Sequence, residues 1–156
     1  DIYDLTKDGY PVTKLPSINF KSPNEMFSVI EKNDSILVRQ QNSQKEMKTR
    51  FSSKKILQIA WAENNKHLII LMRSKAEERQ ENLDESKALL AIYDLQKKKT
   101  VKMFKTFGYN RFVLIGDFLI FDNGVGKDSH IEIFKLESQS NFKTIKINGG
   151  CGLRNI

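Results

Sequence analysis

The sequence predicts an all-β fold assembled from four-stranded antiparallel units of the kind that form β-propeller blades, and three observations predict it. Residues 56–104 hold four strand-like apolar runs separated by turn chemistry. A strand–turn–strand phrase recurs along the chain. The spacing of those recurrences, corrected for one charged insert, is that of propeller repeats.

The clearest unit begins Ile56-Leu-Gln-Ile-Ala-Trp-Ala, turns at Glu63-Asn-Asn-Lys, and continues as His67-Leu-Ile-Ile-Leu-Met. After a charged insert come Ala88-Leu-Leu-Ala-Ile-Tyr-Asp-Leu, a lysine-rich turn at Gln96-Lys-Lys-Lys, and Thr100-Val-Lys-Met-Phe. The recurring phrase is Ile2-Tyr-Asp-Leu, Ile92-Tyr-Asp-Leu and Ile133-Phe-Lys-Leu, with a weaker copy at Ile36-Leu-Val-Arg. Each is followed by a second apolar run, near Pro11, Val101, Phe142 and Met47. The copies start 34, 56 and 41 residues apart. Removing about a dozen residues for the insert at 74–87 brings the middle spacing to about 40–45, the period of propeller repeats.

The elements follow in order. Residues 1–14 read as the last two strands of a partial blade. Strands at 18–20, 26–31, 35–41 and 47–51 make the next, with Pro16 and Pro23 in connections, where a missing N–H costs nothing. Residues 56–104 make the clearest blade. Strands at 111–115, 117–122, 130–136 and 142–147 make another, followed by the glycine-rich Gly149-Gly-Cys-Gly.

Composition sets the frame. A chain of 156 residues with 39% hydrophobic and 29% charged residues fits one globular domain, or a segment of one, spanning 1–156. The longest apolar runs, such as Leu68-Ile-Ile-Leu-Met, are strand-sized, so no transmembrane segment is expected. The start, Asp1-Ile-Tyr-Asp-Leu, has neither the basic flank of a secretory signal nor an initiator methionine, and reads as a processed or excised segment. A single cysteine, Cys151, makes no internal disulfide and points to a reducing, intracellular compartment, cytoplasm or nucleus. The net charge of +7 admits nucleic acid, acidic protein surfaces or anionic lipid headgroups as partners.

Ile59-Ala-Trp-Ala-Glu-Asn-Asn-Lys-His-Leu resembles the first strand, polar turn and second strand of the WD40-like β-propeller superfamily. Ala91-Ile-Tyr-Asp-Leu resembles its third strand, with Tyr93-Asp94 where the Trp-Asp pair stands. The resemblance covers most of the chain and implies a divergent propeller. No Gly-His pair opens the blades and Trp61 sits in the first strand, which removes the histidine network that braces regular blades. Three blades and a fraction do not close a ring. A longer propeller, strands supplied by other protein subunits, or a partly closed β-barrel of pleckstrin-homology-like type each resolve the count. Against the barrel, no amphipathic helix is legible near the C-terminus.

Chemistry-bearing motifs are sparse. Asn123-Gly-Val-Gly-Lys-Asp-Ser has the look of a phosphate-binding loop, but Asp128 follows Lys127 and a strand follows, so it reads as a hairpin turn. Asp122, Asn123 and Asp128 fall short of a calcium-loop series. His67 and His130, each opening a strand, do not make a zinc site with one distant cysteine. Cys151 lies among glycines that supply backbone donors, yet no elbow surrounds a nucleophile. No cofactor, metal or enzymatic activity is expected.

Two basic clusters stand out: Lys45, Lys48, Arg50, Lys54 and Lys55, and Lys97, Lys98, Lys99, Lys102 and Lys105. In the blade reading both fall at the third turn or on the fourth strand, where lysine also protects an exposed edge. The insert at 74–87 is rich in both charges and reads as a solvated helix or loop. The functional expectation is a non-enzymatic protein–protein interaction scaffold, a propeller segment within a larger intracellular complex. The alternative is a basic module that binds nucleic acid or phosphoinositide through the two clusters.

Overall fold

The computed structural model describes residues 4–5, 11–12, 20–53, 56–73, 87–107, 111–124 and 129–146. A short hairpin pairs β1 (Asp4–Leu5) with β2 (Pro11–Val12). The first sheet holds β3 (Phe20–Lys21), β4 (Phe27–Lys32), β5 (Ser35–Gln40) and β6 (Glu46–Ser52). The second holds β7 (Ile56–Trp61), β8 (His67–Arg73), β9 (Lys87–Asp94) and β10 (Lys99–Phe107). The third holds β11 (Phe112–Ile115), β12 (Phe118–Asn123), β13 (His130–Lys135) and β14 (Ser140–Lys146). Strands 18–20 and 142–147 of the sequence reading lie partly outside the described residues, as do the glycine-rich stretch with Cys151 and most of the insert at 74–87.

Each sheet is an antiparallel meander in which chain neighbours are sheet neighbours. The turns explain why. Asn33 and Asp34, at φ 51° and 59°, make the two-residue turn with both residues left-handed that joins β4 to β5. Gly116, at φ 56°, opens the equally tight turn from β11 to β12. Among the described residues there is no α-helix, and each sheet keeps its own two edge strands, so the sheets do not close into a barrel. This is the propeller-like arrangement, and the pleckstrin-homology-like alternative does not stand.

The sheets pack face to face. Val29, Ile36, Val38, Met47 and Phe51 of the first sheet form one core with Leu68, Ile70, Met72, Ala91 and Tyr93 of the second. Ile69, Leu71, Leu90 and Ile92 of the second form another with Phe112, Leu119, Phe121 and Phe134 of the third. The second sheet is therefore apolar on both faces, which is why β8 reads as an unbroken apolar run rather than an alternating one. Leu68, Ile69 and Ile70 are all fully buried. Each such side chain stabilises the fold by roughly 1.5–3 kcal/mol.

Polar contacts fix how the first strands of neighbouring sheets meet. Trp61 Nε1 on β7 donates to the Phe20 carbonyl on β3 at 3.1 Å, with its ring between Phe20 and Phe27 at 6.5 Å from each. On the other side, Gln58 of β7 makes two hydrogen bonds to the backbone of Phe112 at the start of β11.

The second sheet also has a histidine-centred brace, built differently from the one whose loss the sequence implied. Asn64 Oδ1 accepts from the Lys66 N–H, which turns its amide nitrogen toward His67 Nδ1 at 2.9 Å. The proton of the neutral imidazole then lies on Nε2, facing Asp94 Oδ2 at 3.8 Å. Asp94 Oδ1 accepts from the N–H groups of Gln96 and Lys97 and so holds the β9–β10 turn.

Candidate functional site

The repeat registers define two faces for every sheet, one toward the sheet before it and one toward the sheet after. The pairs Ser28↔Arg39, Leu68↔Tyr93 and Leu119↔Phe134 occupy equivalent places in the first, second and third sheets, each two residues beyond the matching backbone bond of Gln41 to Met26, Leu95 to Lys66 or Leu136 to Asp117. In the second and third sheets these residues face the preceding sheet and are buried there. Two positions along come Ile30↔Leu37, Ile70↔Ala91 and Phe121↔Glu132. Two further along, where the second sheet buries Met72, the first sheet carries the exposed Lys32.

That backward-facing side of the first sheet contains a depression of about 380 Å³, whose described lining includes Lys32, Ser35, Leu37, Glu46, Lys48 and Arg50. Leu37, only 6% exposed, gives it an apolar floor, while Lys32, Lys48 and Arg50 are exposed at its rim. Arg50 has a left-handed backbone, φ 67°, inside a strand. The β5–β6 register slips between Ser35 and Leu37, so Arg50 sits on a β-bulge. Thr49 Oγ1 stabilises the bulge by donating to the Ile36 carbonyl at 2.6 Å. Bulges re-aim side chains, and a non-glycine residue held in this region stores strain. Glu46 accepts from Arg39 Nη2 at 2.8 Å. That bond, with the charges of Lys32 and Arg39, holds its carboxyl below the usual carboxylate range.

The sequence-predicted basic residues divide between two sheet edges. Lys45 lies in the β5–β6 connection, and Lys48 and Arg50 lie on β6, while Lys54 and Lys55 are outside the described residues. Lys97 and Lys98 lie in the β9–β10 turn, with Lys99, Lys102 and Lys105 on β10. Lys102 Nζ stands 5.4 Å from the Phe104 ring centre, a cation–π contact. The structure brings Lys48 and Arg50 together with Lys32, which no local cluster contained; its signal is legible only through the register that sets it at the place of Met72. The second cluster lines the β10 edge of the second sheet and the turn leading into it.

The remaining chemistry-bearing residues are committed to structure. His130 Nε2 contacts Glu132 Oε1 at 2.9 Å. The turn after β12 opens as read, with Gly124 at φ 84° and its N–H donated to Asn123 Oδ1, while residues 125–128 lie outside the described residues. Asp122 is buried on the forward-facing side of the third sheet, and its Oδ1 has no hydrogen-bond partner among the described residues. Burial pushes its carboxyl up, against a smaller opposite effect of backbone N–H groups and Arg111. Among the described residues no three of His, Cys, Asp and Glu converge on a possible metal position.

No protein-family model matches the chain, and no curated protein does. Solved structures do. The uncomplexed acylaminoacyl peptidase of Pyrococcus horikoshii aligns over 86% of this chain and 25% of its own, with a TM-score of 0.61 and 15% identity. The β-propeller domain of the trilobed protease of Pyrococcus furiosus, described as having an open Velcro topology, aligns over 86% of this chain and 43% of its own, at TM-score 0.60 and 15% identity. Dipeptidyl peptidase 4 of Porphyromonas gingivalis aligns over 89% of this chain and 27% of its own, at TM-score 0.59 and 12% identity. At such identities the likeness is one of fold, to the propeller parts of these proteins. The chain spans about a quarter of the length of the acylaminoacyl and dipeptidyl peptidase chains.

These likenesses overturn the expectation of a non-enzymatic interaction scaffold in an intracellular complex, together with its nucleic-acid- or phosphoinositide-binding alternative, because the chains sharing this fold are peptidases. The alternative leaned on lysine clusters whose described members lie exposed on the edge strands β6 and β10 or in the turns leading into them, where charge opposes edge-to-edge pairing whatever the protein does.

Proposed function

We propose that this chain is the propeller portion of a peptidase, a ring segment that stands beside a catalytic domain and governs which peptides reach it. The observation that carries this reading is the likeness of its three stacked sheets, over 85% or more of the chain, to the propellers of acylaminoacyl and dipeptidyl peptidases. The engaged histidines support it: His67 is held by Asn64 and Asp94, and His130 by Glu132, so neither is poised as a general base. Within the propellers we group these repeats with the divergent WD40-like class, on the Tyr93-Asp94 pair and the His67 brace.

In this reading the ring continues past the third sheet. The pairs Ile120↔Ile133 and Ile69↔Ile92 are equivalent, and the second of them is buried under the third sheet. Ile115, Phe142 and Ile145 remain 41–61% exposed, an apolar surface that a further sheet of the same ring, or one from another subunit, covers.

The test is to isolate the natural polypeptide that carries this sequence, using an antibody against the 156-residue chain, and to assay hydrolysis of a panel of chromogenic peptides. Peptide hydrolysis that co-purifies with the polypeptide supports the reading. A homogeneous natural polypeptide without such activity overturns it.

A further inference from the structure

The backward-facing side of the first sheet differs from its counterparts in a way that packing does not explain. Were it built only to receive another sheet, its register positions would repeat the apolar set of the second and third sheets. It keeps Ile30 and Leu37 at the places of Ile70 and Ala91, but sets Ser28 and Arg39 where Leu68 and Tyr93, or Leu119 and Phe134, stand, and Lys32 where Met72 stands. The bulge on β6 adds Arg50 to the same depression at the cost of a left-handed backbone. Strain kept in a side chain that contributes nothing to the core points to a use for its charge.

We propose that this depression is a binding site for a peptide segment bearing carboxylates. Arg50 and Lys48 engage one carboxylate, the guanidinium through paired hydrogen bonds, and Lys32 receives another. Leu37 offers an apolar floor to an intervening side chain. Glu46, kept ionised by Arg39 and Lys32, accepts a peptide N–H and repels the dense phosphate charge of a nucleic acid. The inference stands on the geometry of the first sheet and does not depend on the association with a peptidase.

The experiment is a fluorescence-anisotropy titration of the full 156-residue chain with a labelled peptide of alternating Glu and Leu. An alternating Gln and Leu peptide and a labelled oligothymidylate serve as comparison probes. Two variants decide. Lys32→Glu reverses the rim charge, and Arg50→Gly removes the guanidinium while placing at the bulge the residue that adopts φ 67° without strain, so it retains the fold. The expected result is selective binding of the Glu peptide over both other probes, weakened about tenfold or more by each variant. A variant with Lys97, Lys98 and Lys99 all changed to alanine binds as the parent does. Equal binding of the Gln peptide, equal loss in the triple-alanine variant, tighter binding of the oligothymidylate, or no binding of the Glu peptide at about 0.05 M salt each overturns the proposal.

Discussion

The carboxamide of Gln58 acts on Phe112 as a neighbouring strand does. Its Nε2 donates to the Phe112 carbonyl at 2.9 Å, and its Oε1 accepts from the Phe112 N–H at 3.1 Å. One side chain on the first strand of the second sheet thereby satisfies both backbone groups at the start of the third.

Replacing Gln58 tests that link. Gln58→Ala leaves two backbone groups in a half-buried place unsatisfied and costs about 1–3 kcal/mol. Gln58→Glu keeps the acceptor but sets a carboxylate against the Phe112 carbonyl, and it costs at least as much at neutral pH. Urea unfolding monitored by Trp61 fluorescence measures both, with an unchanged denaturant slope marking a stability effect alone.

Tyr93 presents the opposite case. Its ring is 2% exposed in the core between the first two sheets, while its hydroxyl has no hydrogen-bond partner among the described residues. Burial, with the nearby Asp94 charge, pushes its ionisation above the ordinary range. Tyr93→Phe removes an unsatisfied polar group and leaves stability unchanged or raises it by about 1 kcal/mol, whereas Tyr93→Ala costs about 3–5 kcal/mol. Thermal unfolding separates them.

Asp122 sets a pH dependence of known sign. Its folded carboxyl is raised above the ordinary 3.8, so the folded state holds its proton to higher pH than the unfolded chain does. Stability is lost as pH rises through the raised value. Asp122→Asn is uncharged throughout and raises the unfolding midpoint at pH 7, with a gain that shrinks toward pH 4. Midpoints measured across that interval, parent against variant, check the sign.

His67 runs the other way. Burial holds its imidazole below the ordinary 6.5, outweighing the attraction of Asp94, so the folded state takes up a proton later than the unfolded one. Its contribution is fully present above pH 6.5 and is lost as pH falls through the lowered value. His67→Gln lowers stability at pH 8 by removing the brace but flattens the decline between pH 6.5 and 5. A variant with the parent's slope in that interval contradicts the assignment.

The propeller-like fold was legible because its signals are local and repeated. The Ile92-Tyr-Asp-Leu and Ile133-Phe-Lys-Leu phrases fall on β9 and β13 and its flanking turn, with Ile92 and Ile133 on forward faces and Tyr93 and Phe134 on backward ones. Leu95 and Leu136 end the two phrases alike, each donating its N–H at 2.9 Å to a carbonyl before the second strand, that of Lys66 or Asp117. The candidate site was only half legible. Lys48 and Arg50 announced themselves as charge, but Lys32 becomes informative only when cross-strand pairing sets it at the place of the buried Met72. The bulge that sets Arg50 at the rim of the depression depends on a register slip against Ser35 and Leu37, which a reading of single strands does not contain.

The measurement that bears most directly on the stacked-sheet arrangement is amide hydrogen exchange resolved by strand. The account predicts that β8 and β9, paired on both edges and covered on both faces, exchange slowest, and that the wholly exposed β14 exchanges among the fastest. Protection spread evenly over the three sheets, or protection of β14 equal to that of β8, would contradict a second sheet enclosed between the other two.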